Sequence, residues 1–317
     1  MGQREGKFAD PDTGMPVGRG SSRRISWRRK QHSSQQSDDR RLKEEDEILA
    51  FESDDDDSNA ERDEEAEAEF VNQIRKHLRK LIAYAQSADV VLQQEAAELL
   101  ANQAVQPARQ KLIVEHGGLD LLLPLTSSVD SEVRRLAAHA LANLSVDGDN
   151  QVLMAERGGI EMVLTLLKNR TESQATLRQA AKALANLGVN PANKVIIAEK
   201  GGIPPLAHAF RESSDPVKVE AAAALANLAV NDENEIAIGA LNIFPELLKA
   251  LSSHNEDLAQ QAGRALRNLS VDDNNKDLLL AEGALEELGH LVVSLPDETL
   301  RFQCQRVLMN LQQSSHK

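Results

Sequence analysis

The strongest constraint on the fold is a short alanine- and leucine-rich sequence that recurs along the chain and closes on an Asn-Leu pair. The asparagines of the four clearest copies are separated by 43, 41 and 41 residues. These copies have their pairs at Asn143–Leu144, Asn186–Leu187, Asn227–Leu228 and Asn268–Leu269. Weaker copies place Asn102 41 residues upstream and Asn310 42 residues downstream. Six phased copies of one unit predict a repeat array.

Each period is predicted to contain three helices. After Asn143, residues 150–157 form a short amphipathic stretch that is stopped by Gly158–Gly159, and residues 160–168 place apolar side chains at helical spacing. Residues 176–187 are rich in Ala and Leu, which favour helix. Glycine pairs are expected where one helix ends and the next begins at a steep angle, since that turn needs a positive φ. The pairs are Gly117–Gly118, Gly158–Gly159 and Gly201–Gly202.

The alanines of the third stretch predict how the units stack. In AAHALANL the small side chains let a neighbouring helix approach closely, while Leu141 and Leu144 enter a shared core. No unit of this size can bury its apolar face alone, so the units are expected to stack into a solenoid.

A three-helix period of 41–43 residues, with Gly-Gly after the first helix and A-L-A-N-L closing the third, resembles the armadillo family. The resemblance covers roughly Phe70 to Leu311 and is degraded at both ends. It implies an all-α fold: a right-handed α-solenoid of about six armadillo repeats, preceded by a disordered N-terminal tail. The fifth unit departs from the pattern, because Gly239-Ala240 replaces the glycine pair and Gly263 stands where alanine would suit the helix better.

The residues before the array divide by charge. Residues 1–43 carry 11 basic and 5 acidic side chains with little apolar content, which predicts a disordered basic tail. Residues 44–69 carry 15 acidic side chains and one basic one, which predicts an acidic disordered linker. The solenoid is assigned to residues 70–311, and residues 312–317 are expected to form a frayed C-terminal tail.

Two short motifs lie in these charged segments. Residues 23–30, RRISWRRK, are open to three interpretations: a solvated charged run, a nuclear-import signal or tether to an acidic surface, and a kinase target at Ser26. Ser53, directly before Asp54–Asp57, is a second candidate phosphorylation site. Ile48, Leu49 and Phe51 form an apolar cluster between acidic flanks that could dock into a groove.

The sequence contains no catalytic constellation, so the protein is not expected to be an enzyme. It has no phosphate-binding glycine loop, no nucleophile elbow and no Cys/His spacing typical of a metal site, and no cofactor or metal is expected. His139, His208 and His290 are single residues at helical positions and are interpreted as structural. Cys304 is interpreted as a small buried hydrophobe.

The composition also bears on the compartment and on partners. One cysteine makes no disulfide framework, and neither a membrane-spanning apolar run nor a signal-peptide core is present. A cytoplasmic location is therefore expected, with the nucleus as a further candidate.

The charge balance of the array bears on nucleic-acid binding. From Phe70 onward the chain has 24 basic and 30 acidic residues, and aromatic side chains are scarce. Nucleic-acid binding is therefore disfavoured.

The resemblance further implies that the third helices line a concave face and that their closing asparagines contact an extended bound peptide. An Asn amide offers a donor and an acceptor on one short arm, which matches a peptide C=O and N–H. By this resemblance, peptide contact is assigned to Asn143, Asn186, Asn227 and Asn268. The alternative is that each Asn caps its own helix by bonding to a following backbone group.

The position four residues before each asparagine is informative. Importin-α-type armadillo arrays carry Trp there, whereas this chain has His139, Lys182, Ala223 and Arg264. Arg135 and Arg178 lie one turn further back and Arg267 is adjacent to Asn268, so a basic stripe is predicted on a chain of net charge −14. Such a stripe favours binding of acidic or acidic-apolar peptides, and β-catenin-like arrays use a basic groove in the same manner. The alternative is that Lys182 and Arg264 point at solvent.

The sequence thus predicts a non-enzymatic protein-binding scaffold that holds an extended acidic segment and acts on no small-molecule substrate. A chain-specific hypothesis adds that the acidic residues 44–69 compete for the same groove. Two other functions stay open. One is a nuclear-transport adaptor of importin-α type, and the other is an accessory armadillo subunit of a larger ligase, cytoskeletal or membrane-anchoring assembly.

Overall fold

The structure is a computed structural model that describes residues 68–69, 72 and 80–314. Over this part of the chain the only regular secondary structure longer than an isolated turn is α-helix. After helical residues 80–86, the helices are α1 (Val90–Gln103), α2 (Pro107–Glu115), α3 (Gly118–Thr126), α4 (Ser131–Leu144), α5 (Gly148–Glu156), α6 (Gly159–Lys168), α7 (Gln174–Leu187), α8 (Pro191–Glu199), α9 (Ile203–Glu212), α10 (Asp215–Leu228), α11 (Asp232–Gly239), α12 (Phe244–Leu251), α13 (Glu256–Leu269), α14 (Asp273–Ala281), α15 (Ala284–Ser294) and α16 (Glu298–Ser314).

The predicted three-helix period is confirmed. Helices α2 to α16 form five consecutive triplets, and α1 is the third helix of the unit before them. The stretches predicted at residues 150–157, 160–168 and 176–187 match α5, α6 and α7 to within two residues. The last helix continues to Ser314, past the boundary predicted at Leu311.

Third helices pack side by side along the array: α1 on α4, α4 on α7, α7 on α10, α10 on α13, and α13 on α16. Most of their alanines are buried, as Ala137, Ala138 and Ala140 in α4 show, and Leu141 and Leu144 are buried with them. The small side chains allow this close approach, so the core is one continuous layer shared between neighbouring units.

The two glycines of a pair have different roles, as Gly158–Gly159 shows. Gly158 has φ of 80°, in the left-handed region where a side chain is strained. Gly159 has ordinary helical geometry, but a Cβ there would lie 2.9 Å from the carbonyl oxygen of Met154. The first glycine therefore makes the turn, and the second lets α6 approach the end of α5.

In the fifth unit these two requirements are separated. Asn242, at φ of 55°, makes the left-handed turn, a conformation that Asn tolerates better than most residues. Gly239 instead provides space, because a Cβ there would come within 1.8 Å of Oδ1 of Asn275. Gly263 is explained in the same way: a Cβ there would lie 2.9 Å from Leu300 and 3.2 Å from Gln303 of α16.

A buried asparagine ladder, defined as Asn150, Asn193, Asn234 and Asn275, joins the first helices of successive units. The Nδ2 atom of Asn193 donates to Gln151 O at 2.9 Å, that of Asn234 to Lys194 O at 3.1 Å, and that of Asn275 to Glu235 O at 3.1 Å. Asn150, at the start of the ladder, donates to Leu144 O at 3.1 Å. These bonds fix the register between the first helices of successive units and tie Asn150 to the end of the third helix before it.

Cys304 is buried in α16 with 1% exposure, as its interpretation as a small hydrophobe requires. Burial raises the pKa of its thiol to about 11, so little of the reactive thiolate is present at neutral pH. No helix in the range 80–314 combines the length and apolar character that crossing a membrane requires.

Candidate functional site

The closing asparagines of the third helices form a second ladder, here called the groove ladder. In each case Nδ2 donates to a carbonyl of the preceding third helix, at the residue just before that helix's own asparagine. The distances are 3.4 Å for Asn143 to Ala101, 3.3 Å for Asn186 to Ala142, 2.7 Å for Asn227 to Ala185 and 2.8 Å for Asn268 to Ala226. Asn310 donates instead to Oγ of Ser270 at 2.9 Å.

These bonds differ from the local capping that the sequence left open as an alternative. The amides reach back to the preceding unit and not to a backbone group that follows in the same chain segment. A primary amide has two N–H donors and one carbonyl acceptor. Asn143, Asn227 and Asn268 each donate once to the preceding unit, whereas Nδ2 of Asn186 donates a second time, to Oγ of Ser145 at 3.1 Å. The four groove asparagines are only partly buried.

The groove ladder has two unlike halves. Oδ1 of Asn227 accepts from Nη2 of Arg264 at 2.6 Å, and Oδ1 of Asn268 accepts from Nη2 of Arg267 at 3.2 Å. Within the described residues no donor reaches Oδ1 of Asn143 or Asn186. We call Asn143 and Asn186 the open half and Asn227 and Asn268 the engaged half.

Basic side chains of α4 and α7 surround the open half. Burial is the main reason that the pKa of His139 is lowered, and the positive charges of Arg135 and Lys182 add to it. The three side chains therefore lie near one another between the two helices. Arg135 also forms an ion pair with Glu132 on its own helix, one turn away.

Arg264 and Arg267, which were predicted to contact a peptide, are bonded to the chain's own groups. Besides Asn227, Arg264 donates to the carbonyl of Ala223 at 3.2 Å. Burial lowers the pKa of Arg264, and the charge of Arg267 adds to this effect. The basic character of the stripe is thus less available on the engaged half than on the open half.

Sequence reasoning missed an acidic side chain in this region. Glu220 of α10 lies 3.6 Å from Nε of Arg178, and Lys182 is also close enough to influence it. The signal was available, since Glu220 precedes Asn227 by seven residues and so lies on the same face of the helix.

Some predictions fall on residues that the structure does not describe. Ser26, Ser53, the basic residues 23–30 and the acidic linker up to Glu67 lie outside the described ranges. In the described residues, no three His, Cys, Asp or Glu side chains form a group that could hold a metal ion.

A stack of three-helix units with third helices packed in a row defines the class of protein as a helical-repeat α-solenoid. The family model described as the plant U-box protein ARM repeat region matches residues 120–303, and an armadillo-like model matches residues 74–158. The first match spans more than half of the 317 residues. The chain belongs to the armadillo-repeat family.

Solved structures agree with this assignment. The crystal structure of one engineered protein is 32% identical over 74% of this chain and 96% of its own, with a TM-score of 0.68. A second engineered protein is 32% identical with a TM-score of 0.70; the alignment covers 77% of this chain and 60% of that protein. A designed armadillo repeat protein in complex with the peptide (KR)4 is 25% identical over 73% of this chain and 98% of its own, with a TM-score of 0.66. No protein with a curated description matches the chain.

Proposed function

We propose that the array is a non-enzymatic protein-binding scaffold that holds an extended, acidic partner segment along its third helices. The observation that carries the proposal is the open half of the groove ladder. There, two asparagines whose Oδ1 atoms no donor reaches within the described residues are flanked by Arg135, His139 and Lys182. Designed armadillo proteins made for peptide recognition share the fold, which supports the general function of peptide binding.

The charge preference is the more specific part of the proposal. The designed relative in complex with (KR)4 holds a basic peptide. In this chain, Arg135 of α4 and Lys182 of α7 lie beside the open half, so a partner of opposite charge is favoured. Partner carboxylates would interact with Lys182 and Arg135, and the asparagines would bond to the partner's backbone without reading its sequence.

The experiment compares two labelled synthetic peptides by fluorescence anisotropy, one of alternating Asp and Ala and one of alternating Lys and Ala. At low salt the acidic peptide is expected to bind more tightly, and Lys182→Gln is expected to weaken it about 3- to 10-fold, because a partly buried charge is screened less than an exposed one. Arg170→Gln, in the exposed loop before α7, removes the same charge and should change affinity less than about twofold. Tighter binding of the basic peptide would contradict the proposal.

We include in the proposal that the acidic residues 44–69 compete for the groove. A segment tethered directly ahead of the array has an effective concentration that can reach about millimolar, so weak affinity suffices. A protein that begins at Phe70 is therefore expected to bind the Asp-Ala peptide severalfold more tightly than the full chain, with the difference shrinking as salt is added. Equal affinities of the two proteins at low salt would remove this part of the proposal.

The match to the plant U-box protein ARM repeat region favours a second candidate. According to this second candidate function, the protein is an accessory subunit of a larger ligase assembly and binds its partner through the same groove. Purification of the protein with its native partners, followed by a ubiquitin-transfer assay, separates the two: transfer activity in the purified complex favours the accessory subunit over a free scaffold.

A further inference from the structure

Glu220 lies at the boundary between the open and the engaged half of the groove ladder. Its carboxylate faces α7, with Oε1 3.6 Å from Nε of Arg178. The Glu220 side chain is 18% exposed, whereas that of Arg178 is 52% exposed. The other charged groups that act on Glu220 are Lys182 of α7 and Asp257 of the first turn of α13. The carboxylate therefore lies beside two cations of the proposed peptide site.

The same position is neutral in three other third helices. The residue seven before the closing asparagine is Gln179 in α7, Gln261 in α13 and Gln303 in α16. Each has a buried Oε1 atom that no donor reaches within the described residues. A glutamine is thus compatible with the packing between adjacent third helices, and the negative charge of Glu220 is not required for the fold of a unit.

The ion pair of Glu220 is loose. Burial is the largest influence on its carboxyl group and raises the pKa, while Arg178 and Lys182 offset only part of that effect. The distance of 3.6 Å between Oε1 of Glu220 and Nε of Arg178 is also longer than that of a close charged hydrogen bond. In addition, the Arg178 side chain is half exposed. Little interaction energy is lost if a carboxylate from outside replaces Glu220 as the partner of Arg178.

We propose that Glu220 is a specificity-determining residue of the groove, an internal carboxylate that competes with the carboxylates of a bound partner for Arg178 and Lys182. The inference rests on the proposed function, because it assumes that the partner is acidic. A partner segment that passes from Asn186 towards Asn227 has to displace this ion pair or leave Arg178 to Glu220. Glu220 thus weakens acidic partners that lack a carboxylate at this point and selects those that have one.

The test replaces Glu220 by the residue that three other third helices carry. In the full-length protein at low salt, Glu220→Gln is expected to bind the Asp-Ala peptide about 3- to 10-fold more tightly than wild type, because the competitor is removed and both cations remain. The matched control is Glu246→Gln, which removes one charge from a partly buried ion pair with Arg211 outside the groove and should leave affinity unchanged. Thermal unfolding of each variant verifies that the array is intact.

Two further sets of substitutions locate the effect. Combined with Arg178→Gln, the Glu220→Gln substitution should give much less gain, since the cation that it releases is absent. Changing Asp54, Asp55, Asp56 and Asp57 to Asn in both wild type and Glu220→Gln reduces competition from the chain's own acidic segment, and the gain should persist or increase.

The outcomes are distinguishable. Unchanged or weaker binding of the Asp-Ala peptide to Glu220→Gln overturns the inference while leaving the proposed function in place. Weakened binding of the Lys-Ala peptide with no gain for the acidic one would show that Glu220 receives a partner's cation, which also overturns it. Failure of wild type and variant alike to bind the acidic peptide counts against the proposed function itself.

Discussion

Replacing Asn143 and Asn186 together by alanine is expected to weaken binding of the Asp-Ala peptide by about 2 to 4 kcal/mol, roughly 30- to 1000-fold. The Asn143 amide can form a donor and an acceptor bond with an extended backbone, and the Asn186 amide, whose Nδ2 already donates twice, can accept through Oδ1. Each such bond contributes about 0.5 to 1.5 kcal/mol. No donor within the described residues occupies Oδ1 of either asparagine, so the free protein has not used this capacity.

The matched control is the pair Asn227→Ala and Asn268→Ala in the engaged half. Their Oδ1 atoms already accept from Arg264 and Arg267, so a peptide gains less from them and the loss of affinity should be clearly smaller. Both double variants lose inter-unit bonds from Nδ2, and the open-half pair also loses the bond from Asn186 to Ser145. The free energy of unfolding of each double variant is therefore measured beside its affinity. Equal losses of affinity in the two pairs would mean that the halves do not differ in binding.

The same variants can be used with natural partners. Affinity capture followed by mass spectrometry compares the wild type with the open-half double variant. The variant is expected to lose the main partners, because its two groove asparagines are absent. Circular dichroism and thermal unfolding have to show first that the variant is folded. Partners that persist on a folded variant would place the binding surface elsewhere on the protein.

The second large effect concerns stability. Asn234→Ala is expected to lower the free energy of unfolding by about 2 to 3 kcal/mol, because a buried amide and its bonds are lost at the centre of the array. Asn234 is 3% exposed, and its Nδ2 donates to Lys194 O at 3.1 Å and to Leu228 O at 3.3 Å. It thus joins α11 both to α8 and to the end of α10.

Urea unfolding followed by circular dichroism measures this effect. Asn274→Ala, at an exposed position of α14, is the control and is expected to change the free energy of unfolding by no more than about 0.5 kcal/mol. Similar unfolding midpoints for the two variants would show that the buried asparagine ladder does not hold the units together. A broadened transition for Asn234→Ala alone would indicate partial uncoupling of the units, as expected when a nearest-neighbour interface in a solenoid is weakened.

Local sequence patterns are sufficient to predict the repeat and its helices. Period, helix order and the need for Gly158 to adopt a positive φ all follow from local rules, because helical spacing and turn chemistry are read within a few residues. Stacking follows as well, since a unit rich in alanine such as residues 176–187 cannot bury its apolar face alone. The position of the groove ladder along the chain could be predicted for the same reason.

The contacts of each side chain could not be predicted in this way, because they depend on how neighbouring units pack. Each contact depends on which helix of the neighbouring unit lies opposite. Examples are the direction of the groove amides, the hydrogen bond between Arg264 and Asn227, which are 37 residues apart in the sequence, and the ion pair of Glu220 with Arg178. Gly239 is a further example, because the space that it provides is used by Asn275 in the next unit. Near-identical repeats therefore acquired an open half and an engaged half: a few substitutions in one helix change the partners available to the next, at separations that no local pattern reports.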